Sequence, residues 1–420
     1  MASLGYLAVL GEILDAGAPV HRVFLLDGVK PESIEEGRPL GSYRVIGVSL
    51  AWELEVPRVI AALQRAGIPS EPAARRPADP LVVAGGALTL VNPRPLLWFA
   101  DVAIVGDGIP AARVLADAIG RGASREEIRD SLASLPGALD ARTARSEERI
   151  AEVMSAAIPR YTTGAGPLAS PVVAVGTAFG DSFLVEACRG CPRGCSFCVL
   201  RRDRCGPFAA YSTDGVLDAV PAAARRVGLV GAGVSDHPGL AEMLERLIRR
   251  GLAVSTSSLR VGALDSTILR LLSEAGCRQV TVGIDGLSER LRRSIGKPIS
   301  DSRIVELAEA ARRAAIGEIK LYVMVGVPGE EDRDVAEFAA VARKAARLVR
   351  IAVSAGPLAV SLLLGTALLF LTGNGQGWFA LFSSAVFYAL SWPPFSQTVD
   401  PWTVVTLWVL LHLLNLLVIR

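Results

Sequence analysis

Three cysteines with the spacing Cys191-x3-Cys195-x2-Cys198 are the residues of this chain best suited to chemistry. They lie in the run LVEACRGCPRGCSFCVLRRDR, directly after an apolar stretch that predicts a β-strand. Three thiolates on one short loop interrupted by glycine can converge on an iron–sulfur cluster. Such a cluster would keep one iron without a protein ligand, and a small molecule could bind there.

Two other metal sites would use the same cysteines. With Cys188 the run reads C-x2-C-x3-C-x2-C, which suits zinc, although structural zinc sites usually have a longer loop between ligand pairs. A ferredoxin-type cluster needs four cysteines in C-x2-C-x2-C-x3-C-P, whereas here the proline follows Cys191. A disulfide framework is not expected, because six cysteines in 420 residues are sparse and no secretory signal precedes them. Cys205 and Cys277 carry no clear signal.

The composition changes sharply along the chain. The formal net charge is +2 and the arginines are spread over helices, so no nucleic-acid partner is indicated. Hydrophobic residues make up 51% of the chain, and residues up to about 350 have the mixed composition of an α/β protein. From Ile351 to Ile419, Asp400 is the one ionisable acid or base apart from His412. The last seventy residues therefore have a composition suited to a membrane environment and not to water.

Residues 1–145 alternate strand-like and helix-like segments, which predicts an α/β domain with a parallel, doubly wound sheet. The amphipathic segments 56–67 and 110–122 have helical spacing and end at glycine. The ligand cleft of such a sheet lies at the carboxyl ends of its strands, where the turns AGGALTLVNP and VGDGIP occur. The predicted strands cover residues 23–27, 44–50, 80–86 and 101–108.

A second series of strand–helix units follows a linker at residues 146–178, in which 159–171 is rich in Pro, Gly, Ser and Thr. These units predict a second α/β domain over residues 179–356. Its predicted strands cover residues 183–187, 227–234, 252–260, 278–285, 319–329 and 349–356.

The cysteine spacing, the aromatic Phe197 before the last cysteine, and the strand-then-loop context resemble the radical S-adenosylmethionine (radical SAM) superfamily. The six units then imply a (β/α)6 partial TIM barrel whose active site lies at the carboxyl ends of its strands. The first domain is similar to the Rossmann-like domain that precedes this barrel in cobalamin (B12)-binding radical SAM proteins. That similarity is carried by SLGYLAVLGEIL, GRPLGSYRVIGVSLAWELE, VVAGGALTLVNPRPL and VGDGIP.

Two departures from the cobalamin-binding class affect the first domain. A histidine that replaces the lower axial ligand of cobalamin lies in Asp-x-His-x-x-Gly, and none of His21, His237 and His412 lies in that motif. The sequence also begins with helix-like residues where the class has a strand first, so an N-terminal truncation is expected.

The resemblance implies a cofactor role for each matching residue. Cys191, Cys195 and Cys198 would bind three irons of a 4Fe–4S cluster, and the fourth iron would take S-adenosylmethionine. The remaining cofactor-binding positions are, in chain order, Phe197 near the adenine, Gly231 for close approach of the methionine amino group, Ser258 and Arg260 at the third strand, Asp285 for the ribose, and Gly326, Val327 and Pro328 at the adenine edge.

Each of these roles has a structural alternative. Arg260 could face solvent, and Gly231 with Gly233 could serve a tight turn. Asp285 stands where the superfamily usually has Glu, with a shorter side chain. Glu330 could be an ordinary acid at a helix N-terminus. Two residues are expected outside the site, Arg290 as a helix-surface arginine and His237 as a polar turn residue.

The resulting functional prediction is a radical SAM enzyme that cleaves S-adenosylmethionine reductively and starts radical chemistry, such as methyl transfer or rearrangement, on an unknown small molecule. It would need an external electron donor of the flavodoxin or ferredoxin type. One rival is a non-catalytic iron–sulfur carrier, with Cys188 or Cys205 as a fourth ligand. The other is a degenerate, membrane-attached remnant.

The hydrophobic tail, residues 357–420, predicts transmembrane helices within the apolar segments 351–371, 378–392 and 401–419. Basic residues precede the first segment, so the catalytic domains would lie in the cytoplasm, anchored at the membrane's cytoplasmic face. A fused or wrongly joined reading frame would also explain this tail. The run VRIAVSAG is predicted both as the sixth strand and as the start of the first membrane segment, and it cannot be both.

Overall fold

The structure of the protein is a computed structural model that describes residues 3–26, 28–144, 146–156, 166–173, 181–200 and 208–357. The chain divides into two compact units, Met1–Arg193 with Cys198–Gly233, and Gly194–Phe197 with Val234–Arg420. The predicted boundaries at residues 145 and 178 fall on positions outside the described residues, and the division into domains stays a prediction.

A four-stranded sheet forms the centre of the first unit, with its strands side by side in chain order. The first three strands are parallel, and the fourth is antiparallel to the third. The prediction of a parallel sheet is therefore confirmed for three strands and corrected at the edge, where residues 138–140 form an antiparallel strand that is absent from the predicted strands. The strands are β1 Val45–Ser49, β2 Leu81–Gly85, β3 Val102–Ile104 and β4 Ala138–Asp140.

Apolar residues alternate between the two faces of this sheet, because successive side chains of a strand point in opposite directions. Val82, Ala84 and Ala103 belong to one buried cluster, and Leu81 and Val83 belong to another. Helices cover the sheet, and Ser124 with Glu127 forms a capping box at one helix start. The helices are α1 Leu4–Asp15, α2 Val56–Arg65, α3 Leu88–Val91, α4 Ile109–Gly120, α5 Arg125–Ala133 and α6 Glu147–Ala156.

The strand predicted at residues 23–27 does not form. Val23 makes an isolated antiparallel bridge with Ser33, and the Arg22 side chain is hydrogen-bonded to Glu35 at 2.7 Å. The backbone of this segment therefore pairs with the loop that follows it and not with the sheet. A short β-branched run cannot show which partner its backbone will find.

A buried carboxylate holds the amino end of β3. Asp101 and Arg75 have side chains with no solvent exposure, and their charged groups lie 2.8 Å apart. Arg125 donates to the other oxygen of Asp101 at 2.9 Å, and the backbone N–H of Val82 donates to the carboxylate at 2.8 Å. The charges lie at the end of the sheet opposite the predicted cleft, which indicates a structural role.

We expect Asp101→Asn to lower the free energy of unfolding by about 3–5 kcal/mol, because it leaves the buried Arg75 cation without its counter-charge. Asp117→Asn is the matched control, since it removes an exposed i,i+4 pair with Arg121 in the same unit, where about 0.3–0.5 kcal/mol is expected. Urea unfolding followed by circular dichroism measures both. Equal losses in the two variants would contradict the structural role.

The first unit also contains the strand that leads into the cysteine loop. β5 pairs in parallel with β8, and β6 pairs antiparallel with β7. Its remaining elements are β5 Phe183–Glu186, β6 Cys188–Arg189, β7 Ala209–Ala210, α7 Thr213–Asp218 and β8 Arg226–Val230.

The second unit contains a three-stranded parallel sheet, in the order β10-β11-β12, and a further strand, β9. All six strands predicted for the second domain are confirmed as β5 and β8 to β12. The unit's strands are β9 Ala253–Thr256, β10 Gln279–Asp285, β11 Glu318–Val325 and β12 Arg350–Pro357. Its helices are α8 Leu240–Arg249, α9 Ser266–Glu274, α10 Glu289–Ser294, α11 Asp301–Arg313 and α12 Asp332–Ala346.

The sixth strand resolves the conflict at VRIAVSAG. Residues 350–357 pair with β11 along its whole length, so a membrane helix beginning at Ile351 is wrong. The rest of the predicted membrane tail, residues 358–420, lies outside the described residues. Within the described residues no helix combines the length and the apolar character needed to cross a membrane.

Candidate functional site

The cysteine loop begins at the carboxyl end of β5, beyond the buried Ala187. Its four cysteines differ in their accessibility to solvent. Cys191, Cys195 and Cys198 are partly exposed, whereas Cys188 is only 1% exposed. The three cysteines with the predicted cluster spacing are therefore the accessible ones.

Cys188 packs against the backbone of Gly231, which follows β8. A Cβ atom at Gly231 would lie 2.6 Å from the Cys188 sulfur and 2.7 Å from its carbonyl oxygen, and the glycine has φ +154. Any side chain at this position would push β6 away. Gly231 was predicted to let the methionine amino group approach; the close approach in the structure is that of Cys188, and the ligand role stays a prediction.

A hydrogen-bonded group of charged side chains surrounds the start of the loop. The Arg189 guanidinium donates to Glu186 and to Asp107, at 2.8 and 2.9 Å. The Tyr211 hydroxyl donates to Glu186 at 3.0 Å. Burial lowers the pKa of Arg189, but the hydrogen bond and charge of Glu186 outweigh it and raise the pKa. Burial and the Glu186 charge raise the pKa of Tyr211 well above its usual value, so its hydroxyl stays protonated.

Asp107 belongs to the VGDGIP turn at the carboxyl end of β3, so Arg189 ties the predicted cleft of the first sheet to the cysteine loop within one compact unit. The role of Arg189 is not evident from the sequence. An arginine between two cysteines has no pattern that identifies its partners, because both carboxylates lie elsewhere in the chain.

The second half of the loop, residues 194–197, packs against the turn after α10. The Ser196 N–H donates to the Ile295 carbonyl at 3.0 Å, and the Cys195 sulfur lies 4.0 Å from the Gly296 carbonyl oxygen. A Cβ atom at Gly296, which has φ +74, would lie 3.3 Å from the Gly194 oxygen. Phe197 is 36% exposed, so its ring is accessible to a ligand.

Asp285, the predicted ribose ligand, ends β10 and has a positive φ of 60 beside an irregularity in the strand register. Its carboxylate forms an ion pair with Lys297. The completely buried Arg292 fixes the turn between them by donating to the carbonyls of Leu287 and Ile299, at 3.0 and 2.6 Å. The roles of Lys297 and Arg292 are not evident from the sequence, since neither residue lies in a recognisable motif.

At the third strand of the predicted barrel, the Arg260 guanidinium is bound to Asp236 at 2.6 Å. Its backbone N–H donates to the Ser235 hydroxyl at 3.1 Å, and Ser258 is exposed. His237 is 6% exposed, and its Nδ1 accepts from the Gly239 N–H at 3.0 Å, as expected for a turn residue. The predicted ligand roles of Ser258 and Arg260 stay predictions.

The turn after β11 is closed by Glu330, whose carboxylate accepts the N–H groups of Gly326 and Val327 at 3.1 and 3.3 Å. Burial raises the pKa of Glu330, and these hydrogen bonds partly offset that effect. Gly326 and Pro328 are exposed, whereas the Val327 side chain is buried. The adenine-binding role of these residues stays a prediction.

A second set of contacts holds the same turn from the side of α12. Arg290, expected at a helix surface, donates to the Gly329 carbonyl at 2.8 Å and to Asp334 at 2.5 Å. Burial raises the pKa of Asp334, but hydrogen bonds from Ser288, the Glu331 N–H and Arg290 lower it overall. The turn is therefore held by side chains on both of its sides.

Three partly exposed cysteines on one loop are a donor set that suits an iron–sulfur cluster. The described residues contain no group of three or more His, Cys, Asp or Glu side chains placed to hold one ion. A 4Fe–4S cluster does not need that arrangement, because each thiolate binds a different iron. Three accessible thiols on one loop satisfy that requirement.

Two family models match the chain. Residues 185–342 match the model of the radical SAM superfamily, and residues 22–139 match that of the N-terminal region of radical SAM proteins. The chain belongs to the radical SAM superfamily. This confirms the resemblance stated from the sequence and the prediction of an enzyme of radical SAM type.

Curated relatives and a solved structure are similar to this radical SAM protein. An uncharacterised protein of Methanocaldococcus jannaschii is 28% identical over 66% of this chain and 59% of its own length. An uncharacterised methyltransferase of Pyrococcus horikoshii is 24% identical over 38% of this chain and 36% of its own length. The chain therefore spans well under two thirds of these relatives.

The solved structure is that of the radical SAM methyltransferase TsrM from Kitasatospora setae with cobalamin and a 4Fe–4S cluster bound. It matches with a TM-score of 0.56 at 16% identity, over 85% of this chain and 72% of that one. A similarity at this level of identity shows the fold.

We expect the alanine variants of Cys191, Cys195 and Cys198 each to lose the visible absorbance of the reconstituted cluster, because each removes the ligand of one iron. Cys188→Ala should keep it, since that thiol is buried against Gly231. Iron and sulfide analysis with absorbance spectra measures all four. If Cys188→Ala loses the cluster as fully as the others, the cluster has four cysteine ligands.

Proposed function

We propose that this protein holds a 4Fe–4S cluster on Cys191, Cys195 and Cys198 and cleaves S-adenosylmethionine reductively, within a (β/α)6 partial barrel built from β5 and β8 to β12. When bound, the cluster would supply the electron that breaks a carbon–sulfur bond of S-adenosylmethionine and starts radical chemistry. The observation that carries this proposal is the accessibility of these three thiols beside a fourth that is buried.

The residues at the carboxyl ends of the strands would bind S-adenosylmethionine. The Asp285–Lys297 pair presents one negative and one positive charge, so Asp285 can accept from ribose hydroxyls while Lys297 faces a carboxylate. Gly326, Val327 and Pro328 form a turn that is already closed by Glu330. Arg260 could bind a carboxylate only by sharing its guanidinium with Asp236. Lys297 therefore joins Arg260 as a candidate for the methionine carboxylate.

Methyl transfer is the reaction class that the relatives favour, because the similar Pyrococcus horikoshii protein and TsrM are both named methyltransferases. The first sheet would then bind cobalamin at its carboxyl edge, where Arg189 links the VGDGIP turn to the cluster loop. An external flavodoxin or ferredoxin would supply the electron. We keep a cytoplasmic location, with the tail as an anchor, as part of this proposal.

Reduced, reconstituted protein should convert S-adenosylmethionine to 5′-deoxyadenosine in slow abortive turnover without its substrate. Cys198→Ala should form none, because it removes one of the three proposed cluster ligands. Chromatography of the small-molecule products measures the yield against iron content. Full iron loading without 5′-deoxyadenosine would favour the electron carrier or the degenerate remnant.

Any cobalamin bound by the first domain should lack a histidine as its lower axial ligand. His21 Nδ1 lies 2.8 Å from the Tyr43 hydroxyl and His237 is held in a turn, while His412 lies outside the described residues. Electron paramagnetic resonance of the Co(II) form measures the axial ligand. Nitrogen hyperfine splitting from a histidine would contradict this expectation, and absence of binding would leave the domain a structural module.

A further inference from the structure

The three-stranded sheet of the second unit has one closed face and one open face. Val280, Val282 and Ile284 of β10 are buried, whereas the residues between them are half-buried or exposed. On β11, Ile319, Leu321 and Val323 are buried in the same way. Parallel sheets are normally covered on both faces. Among the described residues, the open face of this sheet is therefore covered less than is usual for a parallel sheet.

The open face carries a lysine and a tyrosine at the centre of the sheet. Lys320 has Thr281 and Ala352 as its neighbours in register, and Tyr322 has Gly283 and Ser354. These neighbours are small, so they cover little of the two long side chains of β11. The Lys320 ammonium lies 5.1 Å from the centre of the Tyr322 ring, and Tyr322 is 39% exposed.

Other charges on this face are compensated. Lys297 pairs with Asp285, and its ammonium lies over Gly283, since a Cβ atom there would be 3.0 Å from it. Glu318 pairs with Arg350 at 2.7 Å. Among the described residues Lys320 forms no ion pair. The contact given for its ammonium group there is the cation–π contact with the Tyr322 ring. The face thus has one uncompensated positive charge beside an exposed aromatic ring.

We infer that Lys320 and Tyr322 form a substrate subsite for an organic anion, in which a carboxylate or phosphate group is attached to a flat apolar body. The ammonium would pair with the anion, and the ring would stack on the apolar body. This inference rests on the proposed function, in which this face of the sheet would line the interior of the barrel. It goes beyond that function by naming the class of substrate.

The test uses three small probes with the full, iron-loaded chain: benzoate, phenyl phosphate and the neutral benzamide. Saturation-transfer NMR titrations measure their Kd values. Benzoate or phenyl phosphate should bind about tenfold or more tightly than benzamide, the size expected of one charge-assisted hydrogen bond. The tighter of the two anions shows whether the natural group is a carboxylate or a phosphate.

Substitutions then show which side chain causes the tighter binding of the anions. Lys320→Gln should make the anions bind about as weakly as benzamide, and Lys320→Arg should restore the difference. Lys344→Gln is the matched control, because it removes the same charge from an exposed position of α12 in the same unit, and it should leave the difference intact. Tyr322→Leu should weaken benzoate and benzamide alike.

Two outcomes would overturn the subsite. One is equal binding of the anions and benzamide by the unaltered chain. The other is loss of the difference in Lys297→Gln but not in Lys320→Gln, which would place the anion at the Asp285 pair. Formation of 5′-deoxyadenosine by the unaltered chain tests the proposed function separately. If the protein cleaves S-adenosylmethionine but binds the anions and benzamide equally, only the subsite is refuted. If it prefers the anions but never cleaves S-adenosylmethionine, only the proposed function is refuted.

Discussion

The contact between the Cys188 sulfur and the Gly231 backbone determines how the cysteine loop can act. It holds β6 against the turn after β8 and removes one thiol from solvent, so that three cysteines stay accessible. A four-cysteine site at Cys188 would need that contact to open. A structural zinc site and a ferredoxin-type cluster both require the fourth protein ligand, whereas a cluster that binds a small molecule requires its absence. The packing of Cys188 against Gly231 therefore favours the three-cysteine cluster that we propose.

Two further sets of contacts hold the rest of the loop. Arg189 lies between Glu186 and Asp107 and fixes the loop's start, since its largely buried cation has both carboxylates as counter-charges. Gly296 allows the turn after α10 to approach Cys195, and Arg292 keeps that turn in place from below. The thiols are therefore supported by residues that never touch a metal, and we expect the loop to keep its shape when the cluster is absent.

Element types along the chain could be predicted from the sequence wherever periodic apolar residues decide them. All six strands of the second domain and helices such as α2 and α4 follow directly from that pattern. The segment 23–27 could not be predicted, because its composition is strand-like while its backbone pairs locally with Ser33. The edge strand at residues 138–140 is too short to show periodicity, and its antiparallel pairing depends on the position of β3.

Parts of the candidate site could likewise be predicted from the sequence, and other parts could not. The cysteine spacing and the turn after β11 could be recognised because they are contiguous in sequence. The Asp285–Lys297 pair, the Asp236–Arg260 pair and the Arg189 network could not, because each joins residues whose proximity is created by folding. The same applies to Lys320 and Tyr322, whose importance comes from small neighbours on two other strands.

The central claim is an iron without a protein ligand that binds S-adenosylmethionine. Electron–nuclear double resonance of the reduced cluster, with S-adenosylmethionine labelled with nitrogen-15 at its amino group and oxygen-17 at its carboxylate, measures this directly. The account predicts hyperfine coupling from both labels in the unaltered chain and in Cys188→Ala. A fully loaded cluster that couples to neither label would contradict it.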